Sequence, residues 1–182
     1  MPGRWLSKIL SVAAILMVLG ISSAESRETR RMCIKEQVDA SDAIFVGKVI
    51  TMTEPSKKTP GVNRYVVVEV HDVLKGTAPK EVNFVVSGYS AELNPACCEK
   101  DGTYIFFSRI GYDVFEEYGG SFVTTTLGKD RFLSATNGRF STFHVQGDTV
   151  VGWQTEAACD ASASALKPDV LACIHQQVAA QP

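Results

Sequence analysis

The sequence has no surplus of positive charge. It carries 18 Lys and Arg against 20 Asp and Glu, a formal net charge of −2 over 182 residues. Nucleic-acid binding depends on Lys and Arg neutralising phosphates, and that requirement leaves a basic stripe or patch. None is present, so no nucleic-acid partner is expected. Histidine is sparse: His71, His144 and His175 are the only three. Only His71 adjoins an acid, Asp72, and strand geometry turns neighbouring side chains to opposite faces. No general-base pair is therefore visible. No Cys-x-x-Cys pair gives zinc-site spacing, and no Gly-x-Ser-x-Gly gives a nucleophile elbow. There is no internal repeat, and no second long apolar run follows the one at the N-terminus. The expectation is a non-enzymatic protein with no catalytic residue, metal or cofactor.

The N-terminus is where the apolar residues are concentrated. Arg4 and Lys8 supply positive charge, and no acid precedes Glu25. Ile9 to Ile21 is nearly unbroken hydrophobic sequence, and Ser22-Ser23-Ala24 places small residues before Glu25. Charge, apolar run and small residues in that order form a cleavable export signal. The run is shorter than the roughly 20 residues a spanning helix needs. Residues 1–24 are thus expected to be a signal peptide, the chain to be secreted or periplasmic, and no membrane span to remain after cleavage. Losing Arg4 and Lys8 leaves 16 bases against 20 acids, or −4, on 158 residues. That length suits one domain with a substantial core.

All five cysteines, Cys33, Cys97, Cys98, Cys159 and Cys173, follow the signal. Outside the cytosol most should be oxidised. An odd number leaves at least one thiol over. The expected bonds are Cys159–Cys173, and Cys33 with either Cys97 or Cys98, because adjacent cysteines rarely bond each other. Cys97 or Cys98 would then be the leftover thiol.

Glu25 to Met32 reads as a flexible, charged leader. Val38 to Ala43 suggests a short helix or turn. Ile44 to Thr51 is a β-branched and aromatic strand, with Gly47 marking a bulge or a tight bend. Arg64 to Val73 alternates, with Val66, Val68 and Val70 on one side and Tyr65, Val67, Glu69 and His71 on the other. Val82 to Ser87 and Thr103 to Ser108 are further strands, the latter apolar on both faces and so central. Gly88 to Lys100 and Gly111 to Gly120 read as irregular loops, and Ser121 to Leu127 as a strand. Arg139 to Val145 and Thr149 to Trp153 flank Gln146-Gly147-Asp148 as a hairpin. Pro168 opens a helix with Val170, Leu171, Ile174 and Val178 on one apolar face. Six or seven strands and a terminal helix predict an all-β domain with a C-terminal helix, either a closed barrel or a sandwich.

Three runs share an order with a known family. Asp42-Ala43-Ile44-Phe45-Val46-Gly47-Lys48-Val49 resembles the first strand of the tissue inhibitor of metalloproteinases superfamily, which includes netrin-like modules and bacterial secreted relatives. Val68-Glu69-Val70-His71-Asp72-Val73-Leu74-Lys75-Gly76 is similar to that family's "Val-x-x-Val-x-Lys-Gly" strand end. Cys97 or Cys98 followed by Asp101-Gly102-Thr103-Tyr104-Ile105-Phe106-Phe107 is similar to its "Cys…Gly-x-x-Tyr-Leu-Val-Phe". The resemblance runs over residues 33 to about 108 and implies an OB-like Greek-key β-barrel. In the animal inhibitors an N-terminal cysteine chelates the protease zinc through its free amine and carbonyl. Cys33 matches that position, but Ile34-Lys35 replaces the second cysteine, and a cut before Glu25 leaves eight residues ahead of Cys33.

The domain boundaries expected are 1–24 signal peptide, 25–32 flexible leader, 33–156 OB-like β-barrel, and 157–182 Ala/Ser-rich segment with the C-terminal helix. The function expected is a secreted or periplasmic module binding a protein or cell-surface partner. The alternatives are a metalloprotease inhibitor and a thiol-dependent redox protein. Phe122, Phe140, Phe143 and Trp153 read mostly as core, while Phe115 and Tyr118 are the candidate partner-binding residues.

Overall fold

Alternation in the sequence becomes two-sided burial in the structure. The computed structural model describes residues 30–55, 60–88, 90–116, 119–123, 132–153 and 165–181. The expected signal peptide, the first part of the leader and most of the Ala/Ser-rich segment lie outside them. In strand β2 (Val62–Lys75), Val66 and Val68 are fully buried while Glu69 and His71 are exposed. Strand β1 (Ala43–Met52) pairs antiparallel with β2, and the register shifts between Val46 and Gly47. A Cβ at Gly47 would stand 2.5 Å from Val68 Cγ1 and 2.8 Å from Glu69 O. The glycine is there because β2 passes too close for a side chain.

Strand β3 (Glu81–Gly88) continues antiparallel from β2, and β4 (Thr103–Ile110) pairs antiparallel with β1. A short antiparallel ribbon follows, made of β5 (Tyr112–Glu116) and β6 (Gly119–Val123). Strand β7 (Phe132–Ala135) then lies parallel to β3 and antiparallel to β4. Strands β8 (Thr142–Gln146) and β9 (Thr149–Val151) form a hairpin whose first strand pairs with β4. The chain is mostly β, with a seven-stranded mixed sheet in the order β1-β2-β3-β7-β4-β8-β9 and a C-terminal helix. Because β1 also pairs with β4, strands β1, β2, β3, β7 and β4 join in a ring.

The ring explains why Thr103 to Ser108 is apolar on both faces. Phe106 and Tyr104 point into one core, which draws residues from all five ring strands: Ala43, Phe45, Val49, Val66, Val68, Val82, Phe84, Leu133 and Ala135. Phe106 stacks on Phe45 at 5.0 Å and meets Phe84 edge-on at 4.8 Å. Ile105 and Phe107 point the other way, into a second core with β8, β9 and the helices. Each large side chain removed from water contributes roughly 1.5–3 kcal/mol, so the ring interior and the outer layer both hold β4 in place.

Helix α1 (Ile34–Ala40) and helix α2 (Lys167–Ala179) cover that outer face. In α2, Val170 and Ile174 are fully buried, with Leu171 and Val178 packed beside them. The helical spacing after Pro168 is therefore realised. Helix α1 starts four residues before the expected Val38, because Glu36 reaches back to accept the Cys33 N–H at 2.9 Å. That reach satisfies one of the donors a helix start leaves open.

One expectation about irregular chain is corrected, and one strand carries no readable pattern. Gly111 to Gly120 is not simply a loop: it holds β5 and the start of β6, paired from Tyr112↔Val123 to Glu116↔Gly119. Strand β7 was hidden because four residues give too short a pattern to read.

Candidate functional site

The long connection from β3 to β4 lies against one end of the ring. It turns once as a 3-10 segment at Ala91–Leu93, then carries Cys97 and Cys98 onto the ring's inner core. These two cysteines are bonded to each other, and the peptide between them is cis. Both are half-buried. Next to them the backbone is tied down closely. Asp101 N–H donates to Val49 O at 2.8 Å, and Val49 N–H donates to Gly102 O at 2.9 Å. Glu99 N–H donates to the Tyr104 hydroxyl at 2.9 Å. Lys48 pairs with Asp101 at 3.1 Å. Tyr104 stacks on His144 with ring centres 4.6 Å apart. Burial pushes the Tyr104 phenol above its ordinary pKa, so it stays a neutral hydroxyl at this mouth.

The disulfide corrects the expected pairing of Cys33 with Cys97 or Cys98. Cys33 is a free thiol at the start of α1, half-buried beside the outer core, whereas Cys97 and Cys98 sit on the inner one. Strands β1 and β4 supply both cores and stand between them. The expectation that the leftover thiol is Cys97 or Cys98 is corrected with it. Cys173 is buried in α2 and disulfide-bonded, and its expected partner Cys159 lies outside the described residues.

The Cys33 peptide N–H is the donor to Glu36, and Arg30 to Met32 ahead of it are docked. With its amide turned to satisfy both partners, Asn137 donates to Arg30 O at 3.1 Å and accepts from Met32 N at 2.7 Å. Arg30 pairs with Glu36 at 2.7 Å, and Arg31 lies over the Phe140 ring at 5.4 Å. The Glu36 carboxyl is held below its ordinary pKa, first by Arg30 and then by the Cys33 N–H.

The candidate partner-binding residues fall on the ribbon. Phe115 is in β5, in register with Gly120 of β6. Tyr118 lies outside the described residues. The ribbon is a separate two-stranded sheet inserted between β4 and β7. Among the other aromatics, Phe143 and Trp153 are core, in edge contact at 5.2 Å.

A cleft of about 550 Å³ opens where the C-terminal ends of α1 and α2 meet, lined by Lys35, Asp39, Lys75, Gln177, Ala180 and Gln181. Lys75 Nζ donates to Val38 O at 2.6 Å, capping α1 with a cation. Asp39 accepts from Lys35 at 2.6 Å and from Gln181 at 3.0 Å, and these two contacts, Lys35 first, hold its carboxyl below the ordinary range. Sequence reasoning did not mark this cleft, since its residues are far apart in the chain. Its polar groups are used in joining the helices.

The histidines are spread over different elements. His71 lies 3.4 Å from Glu69 on exposed β2, His144 is on β8, and His175 is on the exposed side of α2. Among the described residues, no three His, Cys, Asp or Glu are grouped to hold a metal, and no helix is long and apolar enough to cross a membrane. No protein-family model and no curated protein matches the chain.

Proposed function

We propose that this chain is an exported, non-enzymatic module whose five-stranded ring is an OB-like barrel, and that it binds a protein or cell-surface partner through the β5–β6 ribbon. The observation that carries this reading is the ribbon's place in the topology. It is inserted in the connection between the fourth and fifth strands of the ring, and it pairs with neither neighbour as part of the main sheet. Barrels of the OB type use that connection to hold ligands. A two-stranded ribbon has little stability of its own, while its backbone edges and glycine-rich strand suit pairing with an added chain. The resemblance of residues 33 to 108 to the tissue inhibitor superfamily agrees with the barrel. Its zinc-chelating mode requires a free amine, and Cys33 uses its N–H within the chain, which favours binding over inhibition.

The test compares retained proteins from the extracellular or periplasmic fraction on wild type and on a Phe115→Ser, Tyr118→Ser variant. Far-UV circular dichroism and melting of the variant should match wild type. A partner held by wild type and lost by the variant supports the reading. Equal retention by both, or retention of nothing above background by wild type, overturns it.

A further inference from the structure

The Cys97–Cys98 bond joins residues one apart in sequence. A cross-link stabilises mainly by closing a loop in the unfolded chain, and its effect grows with loop length. This one closes the shortest loop a disulfide can close, so it ties no distant segments together. The staple's work is done by other groups. The Asp101–Val49 and Val49–Gly102 hydrogen bonds fix the connection to β1, the Glu99–Tyr104 bond fixes it to β4, and Gly102 N–H closes on Glu99 O at 3.1 Å. Both sulfur-bearing residues are partly exposed at the end of the ring, whereas Cys173, also disulfide-bonded, is 6% exposed within the helix layer. Disulfide exchange needs an attacking thiolate to reach a sulfur, and access therefore separates Cys97 and Cys98 from Cys173.

We propose that Cys97–Cys98 is a reversible thiol–disulfide site at the ring mouth, exchanged by an external dithiol. A thiolate of the dithiol attacks one of the two sulfurs. The Cys97–Cys98 bond breaks, a mixed disulfide forms, and the released sulfur leaves as a thiolate that takes a proton. The second thiol of the reductant then attacks the mixed disulfide. The reductant departs oxidised as its own disulfide, and the protein keeps two electrons and two protons as a pair of adjacent thiols. Cys33, the free thiol among the described residues, is across the sheet and takes no part, so the resolving thiol comes from the reductant. The site goes beyond partner binding by the ribbon and does not depend on it.

The test titrates the native full mature chain with dithiothreitol, blocks thiols with N-ethylmaleimide, and maps them by peptide mass spectrometry. The expected result is that Cys97 and Cys98 become labelled together at a reductant level that leaves Cys173 unlabelled and circular dichroism unchanged. Reoxidation with glutathione disulfide should restore the unlabelled pair. Labelling of Cys97 and Cys98 only after Cys173, or only when the fold is lost, overturns the proposal. A Cys97→Ser, Cys98→Ser variant keeps it falsifiable: it should fold with wild-type melting, and failure to fold would make the pair a structural staple.

Discussion

Gly76 and Gly147 both hold a left-handed backbone, with φ of +69° and +60°, but in different surroundings. A Cβ on Gly76 would lie 2.1 Å from Asp42 O, while one on Gly147 meets nothing within 4 Å. Gly147→Ala therefore carries only the left-handed cost, about 1–2 kcal/mol. Gly76→Ala adds a backbone collision where β2 leaves the start of β1, and should cost roughly 3 kcal/mol or more. Urea denaturation of both variants checks this, and equal losses would contradict the placement of Gly76. At this scale the sequence was partly legible. Gly47 and Gly147 could be read as a bulge and a turn because strand patterns flank them. The Cys97–Cys98 bond could not, because adjacency alone argues against it and its location on the inner core is a tertiary fact. The separation of Cys33 from the other two is hidden for the same reason, since nothing local shows that a sheet lies between them.

Helix α1 carries two exposed carboxylates in ion pairs, Glu36 with Arg30 and Asp39 with Lys35. Glu36 and Asp39 are both held below their ordinary pKa, Glu36 by Arg30 and the Cys33 N–H, and Asp39 by Lys35 and Gln181. A carboxylate depressed in the folded state contributes stability that is present above the unfolded pKa and lost as pH falls through the folded one. The contribution should thus be full above pH 4.5, the ordinary value for Glu36, and fade below it. Melting of wild type and Glu36→Gln across that range should show a wild-type advantage at neutral pH that shrinks on acidification. A constant gap would mean the cap is not electrostatic. Among elements, β2, the β8–β9 hairpin and α2 were legible because long alternation, a Gly-Asp turn and helical spacing are strong local signals. Strand β5 and the start of β6 have the pattern of a loop, because Glu116, Glu117, Gly119 and Gly120 carry turn composition. The start of α1 was missed because cysteine is an unusual N-cap, although Glu36 three residues on has capping-box spacing.

At the scale of the whole molecule, two cores are built around the same two strands. Strands β1 and β4 send Phe45 and Phe106 inward and Ile44 and Phe107 outward, and the ring stays joined because β4 pairs on both edges. The all-β class with a terminal helix was legible from the spacing of the strands. The ring was not, because the β1–β4 pairing joins segments about 60 residues apart, and the parallel β3–β7 contact involves only two residue pairs. The proposed export puts the mature N-terminus ahead of the docked residues Arg30 to Met32, so N-terminal sequencing of the mature chain should find Glu25. A chain beginning at Cys33 would lack the Arg30–Glu36 pair and the Asn137 contacts, and would contradict this account of α1.

The central claim is that the ribbon is where a partner binds. A photo-reactive amino acid placed at position 115, and separately at Asp169 on the exposed side of α2, tests it directly in the intact chain. The account predicts a single dominant cross-linked partner from position 115 and none from position 169. Cross-links to the same partner from 169 and not from 115 would contradict it.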